Sequence, residues 1–170
     1  GDYYIAAKAA SDASTVDDLG TYTVTASVVD DLTNNTSTTG LLVSGASSTG
    51  AIDALGDEDW FKISLEAGRR VQIDLEGHDT GKGTLVDPYI NYIYDSAGNR
   101  VSYSSNDNNG DGNNARTAFT AGSTGDYYIA AKAASNSSTT DGLGTYTVTA
   151  SAVDDFSNTT ETTANLSSRG

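Results

Sequence analysis

The chain has no cysteine and no methionine, and only one proline and one histidine, in 170 residues. Without cysteine there is no disulfide framework, no thiolate metal site and no cysteine nucleophile. A Ser-His-Asp triad would rest on His78 alone, which lies in a Gly/Asp-rich stretch. "GASSTG" at Gly45 lacks the second glycine at the spacing of a nucleophile elbow. There is no phosphate-binding loop, no HExxH and no Cys/His cluster. No catalytic residue is assigned, and the chain reads as a non-enzyme. Positive charge is scarce as well: 9 Lys and Arg face 23 Asp and Glu, for a net charge of −14. Nucleic acid and anionic membranes both demand basic patches, so neither is an expected partner. The acid excess suits recruitment of cations, or solubility alone. No apolar run reaches the roughly 18 residues of a membrane span, and no stretch carries a helical stripe.

What is present is a repeat. "GDYYIAAKAAS" stands at Gly1 and again at Gly125. At this constant offset of 124 residues, thirty of the thirty-nine positions from Gly1 to Thr39 are identical to those from Gly125 to Thr163. A period this long marks domain-sized units. The expected organisation is the closing hairpin of a preceding repeat over 1–29, a complete unit over 30–153 and the start of a following repeat over 154–170. On this reading the chain is cut from a tandem array.

The hydrophobic period is two. "TYTVTASV" aligns Tyr22, Val24, Ala26 and Val28 on one face; "FKISLEAG" aligns Phe61, Ile63 and Leu65; "VQIDLEG" aligns Val71, Ile73 and Leu75. The spacing predicts half-buried antiparallel strands. "EAGRR" predicts a hairpin joining the last two. "YINYIYDSAGNRVSY" predicts another, turning at Ser96–Asn99. "TAFTA" is a further strand, "DYYIAAKA" and "TYTVTAS" form a final pair, and "GLLVSG" and "GAID" fit edge strands. About eight strands predict an all-β, antiparallel, jelly-roll-like β-sandwich.

Oxygen ligands give the strongest chemical signal. "DNNGDG" sets Asp107, Asn109 and Asp111 at alternate positions before Gly112, the first half of a calcium loop of EF-hand type. The twelfth position is Ala118, so a full EF-hand is excluded; Asp87, Asp95 or backbone carbonyls would complete the shell. The alternative is a polar turn. Asp57 and Asp59 lie two apart and would chelate a cation or bind Arg116. Asp87, before Pro88, caps a turn, pairs with Arg116 or joins a metal. Asp30-Asp31 and Asp154-Asp155 fall at unit junctions, where calcium would stiffen an array. Calcium is the expected cofactor. Trp60 reads as core, or as a sugar platform. Alternation sends some of Tyr89, Tyr92 and Tyr94 outward, to stack on a glycan or a matrix protein, or to pair across strands.

"GAIDALGDEDWFKISLEAGRRVQIDLEG", "GTLVDPYINYIYDSAGNRV", "NDNNGDGNNARTAFTAGSTGDYYIAAKA" and "GTYTVTAS" follow one another almost without a gap over residues 30–153. Together they resemble the bacterial pre-peptidase C-terminal domain. The resemblance implies a jelly-roll-like sandwich without peptidase activity. Such domains flank secreted proteases and recur in series in large repeats-in-toxin-type adhesins. It implies secretion or a cell-surface location, calcium as a recurring ligand, and collagen-binding relatives. Where the family's loop has consecutive aspartates and an "NSR" close, this chain has "NDNNGDGNNAR", with one carboxylate fewer.

Three readings of function follow. One is a structural or assembly module of a tandem-repeat protein, with neighbouring repeats or copies of itself as partners. The others are a glycan- or matrix-binding adhesion module and an accessory domain of a secreted protease. The duplicated segment 1–28 either docks as a neighbouring stub or closes this domain by permutation. In the second case 125–153 is freed to close the next molecule, and filaments form.

Overall fold

The computed structural model describes residues 4–8, 20–25, 30–101, 104–134 and 142–153. Among them are eight strands and one turn of 3-10 helix, His78–Thr80. The strands are β1 (Gly40–Leu41), β2 (Ser47–Ile52), β3 (Glu58–Leu65), β4 (Arg70–Glu76), β5 (Pro88–Asp95), β6 (Ala115–Thr120), β7 (Gly125–Ala133) and β8 (Gly144–Ala152). They form two four-stranded sheets, ordered β1-β3-β7-β5 and β2-β8-β4-β6. The result is an all-β sandwich. Every strand pair is antiparallel except β1 with β3, which is parallel. "GLLVSG" and "GAID" do form the edge strands β1 and β2.

Alternation places the core as the sequence predicts. Phe61, Ile63 and Leu65 of β3 meet Val71, Ile73 and Leu75 of β4 between the sheets, joined by Ile129 of β7 and Val148 of β8. Each buried aliphatic chain of this kind stabilises the fold by about 1.5–3 kcal/mol.

The pairing partners differ from expectation. β3 and β4 follow one tight turn, with Gly68 at φ 81°, yet β3 lies in the first sheet and β4 in the second. The turn is a corner between layers. β7 and β8 are split in the same way, β7 between β3 and β5, β8 between β2 and β4. The segment 125–153 is therefore not a hairpin: it supplies a central strand to each sheet. The turn after β5 forms where predicted, with Gly98 N–H donating to the Asp95 carbonyl and Val101 N–H to that of Ile93. Of the N-terminal copy, expected as the closing hairpin of a preceding repeat, residues 4–8 and 20–25 are described. Its described residues form no strand, and Tyr4, Ile5, Tyr22 and Val24 are exposed. The stretch 154–170 lies outside the described residues.

Candidate cation site

β3 begins with a conflict. The core-facing positions are odd-numbered, so Asp59 points inward in line with Phe61, Ile63 and Leu65. Its carboxylate is fully buried, at 0% exposure. One oxygen accepts a 2.5 Å hydrogen bond from the Tyr146 hydroxyl of β8, across the sandwich. The other, Oδ1, is buried with no hydrogen-bond partner. A buried carboxylate oxygen without a donor is expensive unless something positive meets it.

The neighbourhood supplies more negative charge. Asp57 lies before β3, where the turn closes through Asp57 N–H to the Ala54 carbonyl and Asp53 N–H to Asp57 Oδ2. Asp30 comes from the segment leading to β1, where its Oδ1 accepts from Leu32 N–H. Ligand oxygens of Asp30, Asp57 and Asp59 all lie within 4.8 Å of one another. Asp31 adjoins them, beside the Ala51 backbone N–H, which partly offsets the rise of its carboxyl. No ion pair among the described residues involves any of these acids.

The electrostatics follow. Burial, and then the charges of Asp57, Asp31 and Asp30, raise the Asp59 carboxyl to about 8 against the opposing Tyr146 hydrogen bond. Burial also raises Asp57, assisted by Asp30 and Asp53, and raises Asp31, assisted by Asp53 and Asp30. The Tyr146 hydroxyl is driven upward by its burial and by Asp59, and so stays a donor. Three carboxylates, one of them with a buried oxygen that has no donor, offer the hard oxygen ligands that a calcium-type cation takes.

Gly50 of β2 makes room for the pair. A Cβ there would sit 2.3 Å from the Tyr146 hydroxyl oxygen and 3.2 Å from Asp59 Oδ2. Gly50→Ala is expected to displace Tyr146 from Asp59 and lower stability by about 1–3 kcal/mol. Urea unfolding measures this, and an unchanged midpoint would show that the two side chains are not locked together.

The other sequence candidates are placed as follows. Asp57 and Asp59 come together as expected, and Asp30 joins them from a position assigned separately to a unit junction. Arg116 contacts none of Asp57, Asp59 and Asp87. Its cross-strand partner on β4 is Asp74, and the two form a salt bridge. Asp107, Asn109 and Asp111 are exposed. Among the described residues, the one group of three acidic, His or Cys ligand atoms this close is Asp30, Asp57 and Asp59, not the 107–111 loop. Asp87 Oδ1 is buried without a partner, and its carboxyl is raised by burial, then by Asp107 and Asp79. Asp95 closes its own turn, accepting from Ala97 and Asn99 N–H.

A bulge between Ile90 and Tyr92 shifts the phase of β5. Ile90 and Ile93 both face the core, and Tyr89, Tyr92 and Tyr94 all share the outer face with Trp60 and Tyr128. There Trp60 stacks on Tyr94 at 4.2 Å between centroids, and both are buried. Trp60 is thus in a second apolar cluster outside the main core. Arg100 covers the Tyr92 ring at 3.9 Å, and Lys132 lies over Tyr89 at 5.3 Å. Sequence reasoning missed the role of Tyr146 and the burial of Asp59. The parity of β3 carries the second signal, since Asp59 continues the Phe61-Ile63-Leu65 stripe.

No helix among the described residues is long and apolar enough to cross a membrane. Comparison with curated protein sequences returns no match. Among solved structures, the chain is similar to the pre-peptidase C-terminal domain of a collagenase from Bacillus anthracis, at 14% identity and TM-score 0.48, covering 65% of this chain and 92% of that one. It is also similar to PliG, a periplasmic inhibitor of g-type lysozyme, from Aeromonas hydrophila, at 13% identity and TM-score 0.42, covering 65% and 97%. PliG from Salmonella Typhimurium matches at 17% identity and TM-score 0.40, covering 67% and 99%. The family model of the bacterial pre-peptidase C-terminal domain matches residues 57–133, which run from Asp57 of the acidic cluster to the end of β7. Over residues 57–133 the sandwich described here is thus similar to the bacterial pre-peptidase C-terminal domain family.

Proposed function

We propose that the chain is a non-catalytic extracellular module whose sandwich is locked by a calcium-type cation at Asp30, Asp57 and Asp59. The observation that carries this reading is the buried, unpartnered Oδ1 of Asp59 beside two further carboxylates. The work of such a site is mechanical. Asp30 lies on the segment that precedes β1, whereas Asp57 and Asp59 belong to the sandwich, so a shared cation ties that segment to the domain. Tyr146, hydrogen-bonded to Asp59, extends the tie to the second sheet. A secreted or surface location fits the family and the free calcium available outside cells.

Calorimetric titration of the chelated protein with calcium tests the assignment. Saturable binding is expected, weakened at least about tenfold by Asp57→Asn or Asp30→Asn, because each removes a charged oxygen ligand. Unaltered affinity in both variants would move the site elsewhere, with Asp87 and Asp107 the next place to look.

A further inference from the structure

The two ends of the sandwich carry opposite charge. Asp30, Asp57 and Asp59 cluster at one end, with Asp31 beside the Ala51 N–H. Ala51 pairs with Thr145, near the start of β8. The chain leaves the sandwich at Val153, beyond the far end of that strand. The eight residue steps from Thr145 to Val153 span about 26 Å at the rise of a β-strand. Entry and exit therefore lie at opposite ends, and the acids stand at the entry.

The exit end is basic. Among the nine Lys and Arg of the chain, Arg69 and Arg70 are the one adjacent pair, and both are exposed. Their backbone is pinned. Arg69 N–H donates to the Glu66 carbonyl, the Arg69 carbonyl accepts from Ala121 N–H, and the Arg70 carbonyl accepts from Val153 N–H. Two open hollows flank Arg69, one reaching Arg70 and Val153, the other Ser44 and Ser64. Glu66 lines both, yet neither arginine forms an ion pair with it or with any other described acid. Two like charges on one pinned turn repel each other until a carboxylate meets them. The next residues of the chain are Asp154 and Asp155, the counterparts of Asp30 and Asp31 at the 124-residue offset. Arg70 and Val153 are cross-strand neighbours, about 5.5 Å apart at Cα, and the Asp154 Cα follows about 3.8 Å on. That distance is within reach of an arginine side chain.

We infer that the Arg69-Arg70 end of the sandwich is the docking face for the segment that opens the following unit, with Asp154 and Asp155 paired to the two guanidiniums. Exposed ion pairs are individually weak. Here the tether from Val153 is one or two residues, so the carboxylates are held at high effective concentration. Successive units then meet end to end, acidic entry against basic exit, in a heterologous contact that repeats along the chain. The pairing stands whether or not a cation occupies the acidic cluster.

Backbone amide relaxation of the full chain at low ionic strength tests this. Asp154 and Asp155 are expected to approach the order parameter of a rigid backbone, about 0.85. Arg69→Gln with Arg70→Gln should lower it below about 0.6, and Asp154→Asn with Asp155→Asn should do the same. Exchanging the charges, Arg69→Glu and Arg70→Glu with Asp154→Lys and Asp155→Lys, should restore it. Unchanged amide shifts in β3 and β7 show in each case that the sandwich is intact. Order at 154 and 155 that survives neutral arginines would overturn the inference. So would native residues 154 and 155 that are no more ordered than 168–170, or an exchanged chain that stays as loose as the neutral ones.

Discussion

Asp59→Asn is expected to stabilise the metal-free protein at pH 7 to 8 while removing its response to calcium. Near pH 4 it should change little. The argument rests on the protonation of one carboxyl. Folding raises Asp59 from 3.8 to about 8, so between those values the metal-free native state holds a proton that the unfolded chain has released. Holding it costs ~3 kcal/mol or more near neutrality. Asparagine keeps an oxygen to accept from Tyr146 and has no proton to hold. At pH 4 the native aspartate is neutral and the unfolded one only about half ionised, so the advantage shrinks to under about 1 kcal/mol. Chemical unfolding of both proteins in chelator at two pH values measures the difference. If Asp59→Asn is destabilising at both, then Asp59 is an ionised structural anchor with a partner of its own, and the cluster is not built around a cation.

The second large effect belongs to the outer face of the first sheet. Trp60→Ala is expected to cost about 3–5 kcal/mol, as for other buried aromatic truncations. Its ring stacks on Tyr94 and packs tilted against Tyr128 at 5.9 Å, and it is 7% exposed. Its indole N–H also donates to Glu58, which receives Asn91 from the bulge of β5. Trp60→Phe keeps most of the stack and should cost far less. A loss under about 1 kcal/mol for Trp60→Ala in urea unfolding would mean that the indole is a loosely held platform open to a ligand.

The alternation of apolar residues made the strands and their core faces legible, because a period of two is a local property of the chain. Phe61, Ile63, Leu65, Val71, Ile73 and Leu75 are buried as their spacing predicts. Pairing is not local. "EAGRR" contains the residues of a tight turn, and Gly68 does turn there, but a turn sequence does not say whether the next strand continues the sheet or starts the other layer. The same ambiguity makes β7 and β8 look like a hairpin. The β5 bulge between Ile90 and Tyr92 was equally hidden, since nothing in the pattern of "YINYIY" marks a shift of register. In the acidic cluster, Asp57 and Asp59 were readable from their spacing. Asp30 and Tyr146 were not, because one arrives from 27 residues upstream and the other from the opposite sheet. Arg116 found Asp74 through strand register, which no spacing in the sequence displays.

The most direct test of the cation site is the thermal midpoint between pH 5 and pH 8, recorded in chelator and again in excess calcium. Asp59, Asp57 and Asp31 all have carboxyls raised by folding. Their contribution to stability is therefore greatest at low pH and is lost as pH rises toward about 8. In chelator the midpoint should fall across this range. Calcium requires the ionised carboxylates and stabilises the native state by mass action. With calcium the fall should flatten or reverse, and the two curves should diverge toward pH 8. Two curves that fall in parallel would contradict a cation at Asp30, Asp57 and Asp59.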